Sequence, residues 1–252
     1  MSKKLAEGID GLVLDVKVGS GAFMKRYEDA RTLAETMVGI GRSMGKRTVA
    51  FLTCMDQPLG VAVGNALETE EAIEVLRGGG PADVRELTLT LGARMLSLAG
   101  AADSEHAARR KLEACLADAS ALARFRKMVA LQGGDPAVVE DPRNVLPQAR
   151  HEREYPASKA GFVQAIDTEA IGIAAALLGA GRMTMEDRID PAVGLLVHKK
   201  IGDPVRKGEP LVTLRYNDED RLTAALERLE GAYLLAPEPP SSIPLVFEVI
   251  EG

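Results

Sequence analysis

The residues best placed to do chemistry lie early in the chain. Asp15-Val16-Lys17-Val18-Gly19-Ser20-Gly21-Ala22-Phe23-Met24 sets a flexible glycine turn directly after an apolar run. Open α/β sheets bind ligands in turns at the carboxyl ends of their strands, and exposed amides in such a turn can hold an anion. The spacing is not that of a dinucleotide fingerprint, and it lacks the lysine of a P-loop. The turn therefore reads either as an anion cradle or as a plain tight bend. Asp15 and Asp56 could line the cleft, with no specific role to assign. Glu71 stands near the start of a helix, where the dipole favours a carboxylate. Asp190 reads as ordering its own loop before Pro191. His106, His151 and His198 are isolated and suggest no triad or metal cluster. Cys54 and Cys115 fit no metal or redox spacing and read as free thiols.

The elements that position these residues follow from periodicity. Residues 11–18 (GLVLDVKV) form a mostly continuous apolar run, as a strand buried on both faces would. A helical pattern through Ala30, Leu33, Ala34, Met37, Val38 and Gly41 ends near Gly45, and residues 47–53 make a second buried strand. Strand, helix and strand at this spacing predict a βαβ unit with a right-handed crossover. Ahead of it, residues 1–8 read as a helix end carrying Lys3 and Lys4, with no N-cap before it. Helices are expected over residues 68–76, 84–98, 104–116 and 120–131, and Pro136, Pro142 and Pro147 mark a connector. After His151 the pattern changes to an α+β domain, with strands over 161–166, 194–200, 210–216 and 245–250 and helices over 168–178 and 218–232.

Composition narrows the classes. The chain of 252 residues is 46% hydrophobic and 27% charged, which argues against disorder. Its net charge of -6 is a poor balance for nucleic-acid binding, which needs a basic footprint. A small anionic substrate remains compatible, because a local cluster can be basic on an acidic protein. No stretch reaches the apolar length of a membrane span, and no apolar run follows Lys3 and Lys4 as in a signal peptide. A cytoplasmic location is expected, with no nucleic-acid or membrane partner.

Whole stretches are more specific than any of these features. LVLDVKVGSGAFM, AFLTCMDQPLGVAVGNALETEEAIEVLRGGGP, ELTLTLGARMLSLAG, MVALQGGDPAVVEDP, GFVQAIDTEAIGIAAALLGAGR and DRIDPAVGLLVHKKIGDPVRKGEPL occur in this order. Together they resemble the thymidine and pyrimidine-nucleoside phosphorylases over nearly the whole chain. The resemblance implies an α/β fold: a mixed-sheet nucleoside phosphorylase/phosphoribosyltransferase-like catalytic domain (incomplete), then an α+β barrel-sandwich (hammerhead-like) C-terminal domain. On this reading residues 1–10 are a remnant of an N-terminal helical domain, 11–147 the central domain in part, and 148–252 the C-terminal domain. The implied reaction is phosphorolysis of a thymidine- or uridine-type nucleoside to free base and pentose 1-phosphate. Inorganic phosphate is then the co-substrate, K+ or another monovalent cation a possible cofactor, and no organic cofactor is needed. A homodimer is expected of the full-length family member.

The resemblance also implies site residues. Lys3 matches the lysine that reaches the pyrimidine base, where a cation would stabilise charge developing on the leaving group; otherwise it is a solvated lysine. The backbone carbonyls of Leu59 and Ala62 and the carboxylate of Glu71 match a monovalent-cation site, an oxygen-only set suited to a hard ion. Residues 198–214 (HKKIGDPVRKGEPLVTL) resemble biotinyl and lipoyl carriers, yet Lys199, Lys200 and Lys207 lack the usual flanking residues, so a rigid structural domain is expected.

The same comparison places most phosphate- and base-binding residues upstream of Met1. The chain is therefore expected to begin partway through the fold and not to turn over nucleosides alone. Two alternatives accompany this reading, a non-catalytic scaffolding module and a fragment of a nucleoside-monophosphate phosphorylase.

Overall fold

A short helix, α1 (Ser2–Ala6), opens the computed structural model, which describes residues 1–252. β1 (Gly11–Val18), α2 (Tyr27–Ser43) and β2 (Arg47–Cys54) follow. β1 and β2 pair in parallel, from Gly11 opposite Arg47 to Val18 opposite Cys54, so the expected βαβ order is present. Ala30, Ala34 and Val38, one helical turn apart on α2, pack on Leu14, Val16, Val18, Ala50 and Leu52. Their small size lets the helix sit close to the sheet.

The two strands are not covered alike. β2 is buried from Thr48 to Cys54, whereas β1 alternates and leaves Asp15 exposed between buried Leu14 and Val16. The expectation that β1 is buried on both faces is thus corrected. Leu12, Leu14, Val16 and Val18 share the covered face, and this period-2 set made the run look continuously apolar. Asp15 and Lys17 occupy the other face.

Helices dominate the next stretch: β3 (Ala62–Val63), α3 (Asn65–Leu76), α4 (Ala82–Leu98), α5 (Glu105–Ala117), α6 (Ser120–Leu131) and α7 (Pro142–Val145). Ser104 caps α5 by accepting the Ala107 N–H, a contact worth about 1 kcal/mol. Ser120 does not cap α6; it is the first helical residue, and Asp118 accepts its N–H.

The second half contains β4 (His151–Pro156), β5 (Gly161–Ile166), α8 (Thr168–Ala175), β6 (Gly194–Val197), β7 (Pro204–Val205), β8 (Pro210–Tyr216), α9 (Glu219–Leu229), β9 (Tyr233–Ala236) and β10 (Val246–Glu251). Two small sheets form here, in the orders β3-β6-β8-β4 and β7-β5-β9. They share a core in which Val163, Ile171, Leu195, Val212, Leu214 and Leu229 are fully buried. Removing such a side chain from water contributes about 1.5–3 kcal/mol. α9 turns Leu222, Ala225 and Leu229 inward and is capped by Asp218. β4 and β9 were not anticipated. β4 (HEREYP) is almost wholly exposed and carries no alternating apolar signal.

The expected division between 11–147 and 148–252 is crossed twice. β10, expected within the C-terminal domain, instead pairs antiparallel with β2 and completes the first sheet, β1-β2-β10. Conversely, β3 pairs antiparallel with β6 and forms an edge of the second-half sheet. Each half therefore lends the other a strand, a long-range pairing that no local pattern encodes. No helix is long and apolar enough to cross a membrane.

Candidate active site

The glycine turn resolves as a joint between the two halves. Gly19 N–H donates to the Met24 carbonyl at 3.2 Å, Gly21 N–H to Met55 at 2.9 Å and Ala22 N–H to Gly19 at 3.0 Å. Ser20 N–H donates to Asp56 Oδ1 at 2.8 Å. Every amide of the turn is consumed internally, so the tight bend prevails over the anion cradle. Glycine is needed at both ends of the bend. Gly19 has φ +129° and a Cβ there would overlap Asp56, while a Cβ on Gly21 would overlap Thr168. Asp56 thereby acquires the role the sequence left open.

Next to this joint a polar set faces outward from the sheet. Lys17 Nζ donates to Asp15 Oδ2 at 2.7 Å and to Thr53 Oγ1 at 3.1 Å, and Thr53 Oγ1 donates to Asp15 Oδ1. Thr53 stands opposite Lys17 in register, which places the three side chains together near the carboxyl ends of parallel strands. A cavity of 550 Å³ runs along the outer edge of β1, lined by Lys4, Asp15, Lys17, Phe23, Met24 and Met37 among others. Phe23 is 93% exposed, an aromatic face turned to solvent beside two lysines. Sequence reasoning missed Thr53, Lys17 and Phe23 as a group. The i, i+2 spacing of Asp15 and Lys17 was the available signal. Lys3 is exposed and forms no ion pair, and Lys4 rather than Lys3 borders the cavity.

The loop from Met55 to Glu71 forms a second centre. Three successive amides are taken up by two carboxylates: Gly60 N–H donates to Asp83 Oδ2 at 3.1 Å, and Val61 and Ala62 N–H donate to Glu71 Oε1 at 2.7 and 2.9 Å. Gly60 has φ +73°, and a Cβ on it would overlap Glu71 Oε2, so only glycine lets the carboxylate approach. Glu71 is half-buried and has no ion-pair partner. Burial pushes its carboxyl above the ordinary range, the Val61 and Ala62 amides pull it back, and the neighbouring Asp83 charge adds to the rise. Leu59 and Ala62, named with Glu71 from the sequence, belong to the same short loop, and of the two it is the Ala62 amide that contacts the Glu71 carboxylate. The structure adds Asp83 and Lys200. Lys200 reaches across from the second half to the Pro58 carbonyl and, at 3.2 Å, to Asp83 Oδ2. A cavity of 360 Å³ lies beside them, lined by Cys54, Pro58, Leu59, Asp83, Ser241 and Ile243 among others.

The other candidates are structural. Lys199 pairs with Glu209 at 2.7 Å and donates to the Pro204 carbonyl, and Lys207 is exposed. Asp190 accepts the Ala192 N–H at 3.0 Å, ordering its loop as expected, and also binds Asn217. His198 contacts Thr213 Oγ1 at 2.7 Å. No group of three or more His, Cys, Asp or Glu is arranged to hold a metal ion.

Known proteins correspond to both halves. Residues 1–122 match the family described as glycosyl transferase family, a/b domain, and residues 162–236 match the pyrimidine nucleoside phosphorylase C-terminal domain. The first match defines the class: the α/β domain of a glycosyl transferase family. A pyrimidine-nucleoside phosphorylase of Bacillus subtilis (strain 168) is 54% identical over 220 residues, 87% of this chain and 51% of the relative. One of Staphylococcus aureus (strain USA300) is 48% identical over 236 residues, 94% of this chain and 54% of the relative. The chain belongs to the pyrimidine-nucleoside phosphorylase family. It spans about half the length of the curated relatives it matches.

Proposed function

We infer that this chain serves in phosphorolysis of a pyrimidine nucleoside, with inorganic phosphate as co-substrate. The observation that carries this reading is the 54% identity to a relative named pyrimidine-nucleoside phosphorylase, maintained across both halves. In the reaction a phosphate oxygen bonds to the anomeric carbon as the glycosidic C–N bond breaks. The electron pair leaves with the base. Positioning the two reactants and meeting the negative charge on the departing pyrimidine are the main demands on the protein.

The groove along β1 suits the base side of that reaction. Phe23 offers a flat ring for a planar heterocycle; Lys4 borders the groove, and Lys3, next to it in sequence, is likewise exposed and without an ion pair. Lys3 is the one we assign to the base, as its family match implies. Phosphate must be met elsewhere. The glycine turn has no free amides, Lys17 is committed to Asp15 and Thr53, and Lys25 to Ser20 and Glu169.

A monovalent cation, K+ in the first instance, fits the loop from Met55 to Glu71. The support is electrostatic: a half-buried Glu71 with no ion-pair partner, close to a second carboxylate. Leu59 and Ala62 carbonyls with Glu71 would hold the ion, which would neutralise the carboxylate and order the loop. The two small sheets around one core support the barrel-sandwich (hammerhead-like) description of the second half. Unpaired thiols at Cys54 and Cys115 agree with a reducing cytoplasm.

The test is phosphate-dependent release of uracil or thymine from uridine or thymidine. The purified chain alone is expected to release neither. Mixed with a polypeptide carrying the rest of the Bacillus subtilis relative, it is expected to release base only when phosphate is present. No release from the mixture with any pyrimidine nucleoside would defeat the reading. Release by the chain alone would overturn the phosphate argument.

A further inference from the structure

Lys200 is a basic side chain that bonds directly to the acidic loop, and it comes from the other half of the molecule. Its ammonium touches the Pro58 carbonyl and Asp83 Oδ2, while Asp83 and Glu71 together take the amides of residues 60–62. Its side chain is only 19% exposed. It is also held from both sides. Ile201 N–H donates to Gln57 Oε1 at 2.8 Å, Lys200 N–H donates to Asp203 Oδ2 at 2.7 Å, and Val197 N–H donates to the Val61 carbonyl at 2.7 Å. The ammonium is therefore placed by backbone pairing and does not wander as a surface lysine would.

Charge then follows by counting. Glu70, Glu74, Arg143 and Arg215 line the cavity beside Glu71, and each is matched in an ion pair: Arg143 with Glu70, Arg77 with Glu74, Arg215 with Glu152. The groups left over are two carboxylates, Glu71 and Asp83, and the Lys200 ammonium bound to Asp83, which leaves a single net negative charge around the loop. One unit is what a monovalent cation neutralises. A divalent ion would leave the centre net positive and would be repelled by the fixed ammonium twice as strongly as a monovalent ion in the same place. Hard divalent ions otherwise favour carboxylates with carbonyl oxygens. The donor types alone would admit Ca2+ as readily as K+.

We propose that Lys200 is the specificity-determining residue of this centre: a tethered cation that fixes its charge so that a monovalent ion is taken and a divalent ion refused. This rests on the cation reading of Leu59, Ala62 and Glu71 given above. Lys200 does not ligate the ion; it acts through the charge of the site and through its grip on Asp83 and Pro58.

The experiment is thermal unfolding of the 252-residue chain and its variants, titrated with KCl or CaCl2 against choline chloride at matched ionic strength. The wild type is expected to be stabilised by K+ and indifferent to Ca2+. Lys200→Met keeps the apolar stem and deletes the charge, and its half-maximal Ca2+ concentration is expected to fall by about tenfold or more relative to wild type. The double variant Lys200→Met with Asp83→Asn restores the single net negative charge and should lose the Ca2+ response again. Lys200→Arg should behave as wild type. A wild type that responds to K+, with a Lys200→Met variant that gains no Ca2+ response, overturns the inference and leaves the cation site standing. A Ca2+ response confined to Lys200→Met supports the inference even where the wild type ignores K+, and then the K+ assignment alone fails. If Lys200→Met does not fold, Asp83→Asn decides: removing one carboxylate while the ammonium stays should abolish the K+ response, and an unchanged response sinks the proposal.

Discussion

Ser20 caps a helix that belongs to the other half of the chain: its hydroxyl accepts the Thr168 N–H at 3.1 Å and donates to the Ile166 carbonyl at 2.9 Å. α8 begins at Thr168, so one of its orphan amino-terminal amides is satisfied from the turn after β1. Asp167 takes another by accepting the Ala170 N–H. Ser20→Ala should therefore lower unfolding stability by about 1 kcal/mol, the usual cost of losing a capping hydroxyl. Gly21→Ala should cost more, since its Cβ overlaps Thr168. Urea unfolding of both variants checks the order, and a Gly21→Ala chain as stable as wild type would contradict it.

Glu71 gives the fold a pH dependence of defined sign. Its folded-state pKa is raised above the ordinary 4.5, so between the two values the folded chain binds more protons than the unfolded one. Stability contributed by this group is highest at low pH and falls as pH rises through 4.5 toward the raised value. In choline buffer, wild type should lose stability relative to Glu71→Gln over that interval, and K+ should reduce the loss. Parallel pH profiles for the two proteins would contradict the burial argument.

Cys54 should be the slow thiol. It is buried at the end of β2, and burial pushes its pKa up, so little thiolate forms at neutral pH. Cys115 is only half-buried on α5. Alkylation followed by mass spectrometry should modify Cys115 first and Cys54 only as denaturant opens the sheet. Modification of Cys54 at the Cys115 rate in native buffer would show the β2 end to be open.

Arg94 holds the last strand in place. Projecting from α4, it pairs with Glu105 of α5 and with Glu251 of β10, both at 2.7 Å. The carboxylates are more than half exposed, so Arg94→Ala should cost only about 1 kcal/mol overall. Its local effect should be larger. Hydrogen exchange should speed up selectively at the amides of β10, and uniform exchange along the chain would argue against a clamp.

Much of the local structure was legible because it rests on short-range chemistry. The β1-α2-β2 order, the helices through Leu131, and the strands at 161–166 and 210–216 all follow from apolar periodicity and from stops at glycine or proline. Ser104 was readable as a cap, and Asp190 as the organiser of its own turn. Where local signals were weak the reading failed. β4 is too polar to announce itself, and β1 looked doubly buried because its apolar residues are grouped on one face.

By itself the sequence determined the family and the order of most of the elements, since each is carried by contiguous residues. Tertiary structure alone decided where the long-range partners fall. β10 crosses to β2, β3 crosses to β6, Ser20 meets Thr168, and Lys200 arrives beside Asp83. These contacts join residues 80 or more positions apart. Which of many solvated groups becomes such a partner depends on packing two halves so that buried amides and carboxylates are satisfied, and not on any residue's immediate neighbours.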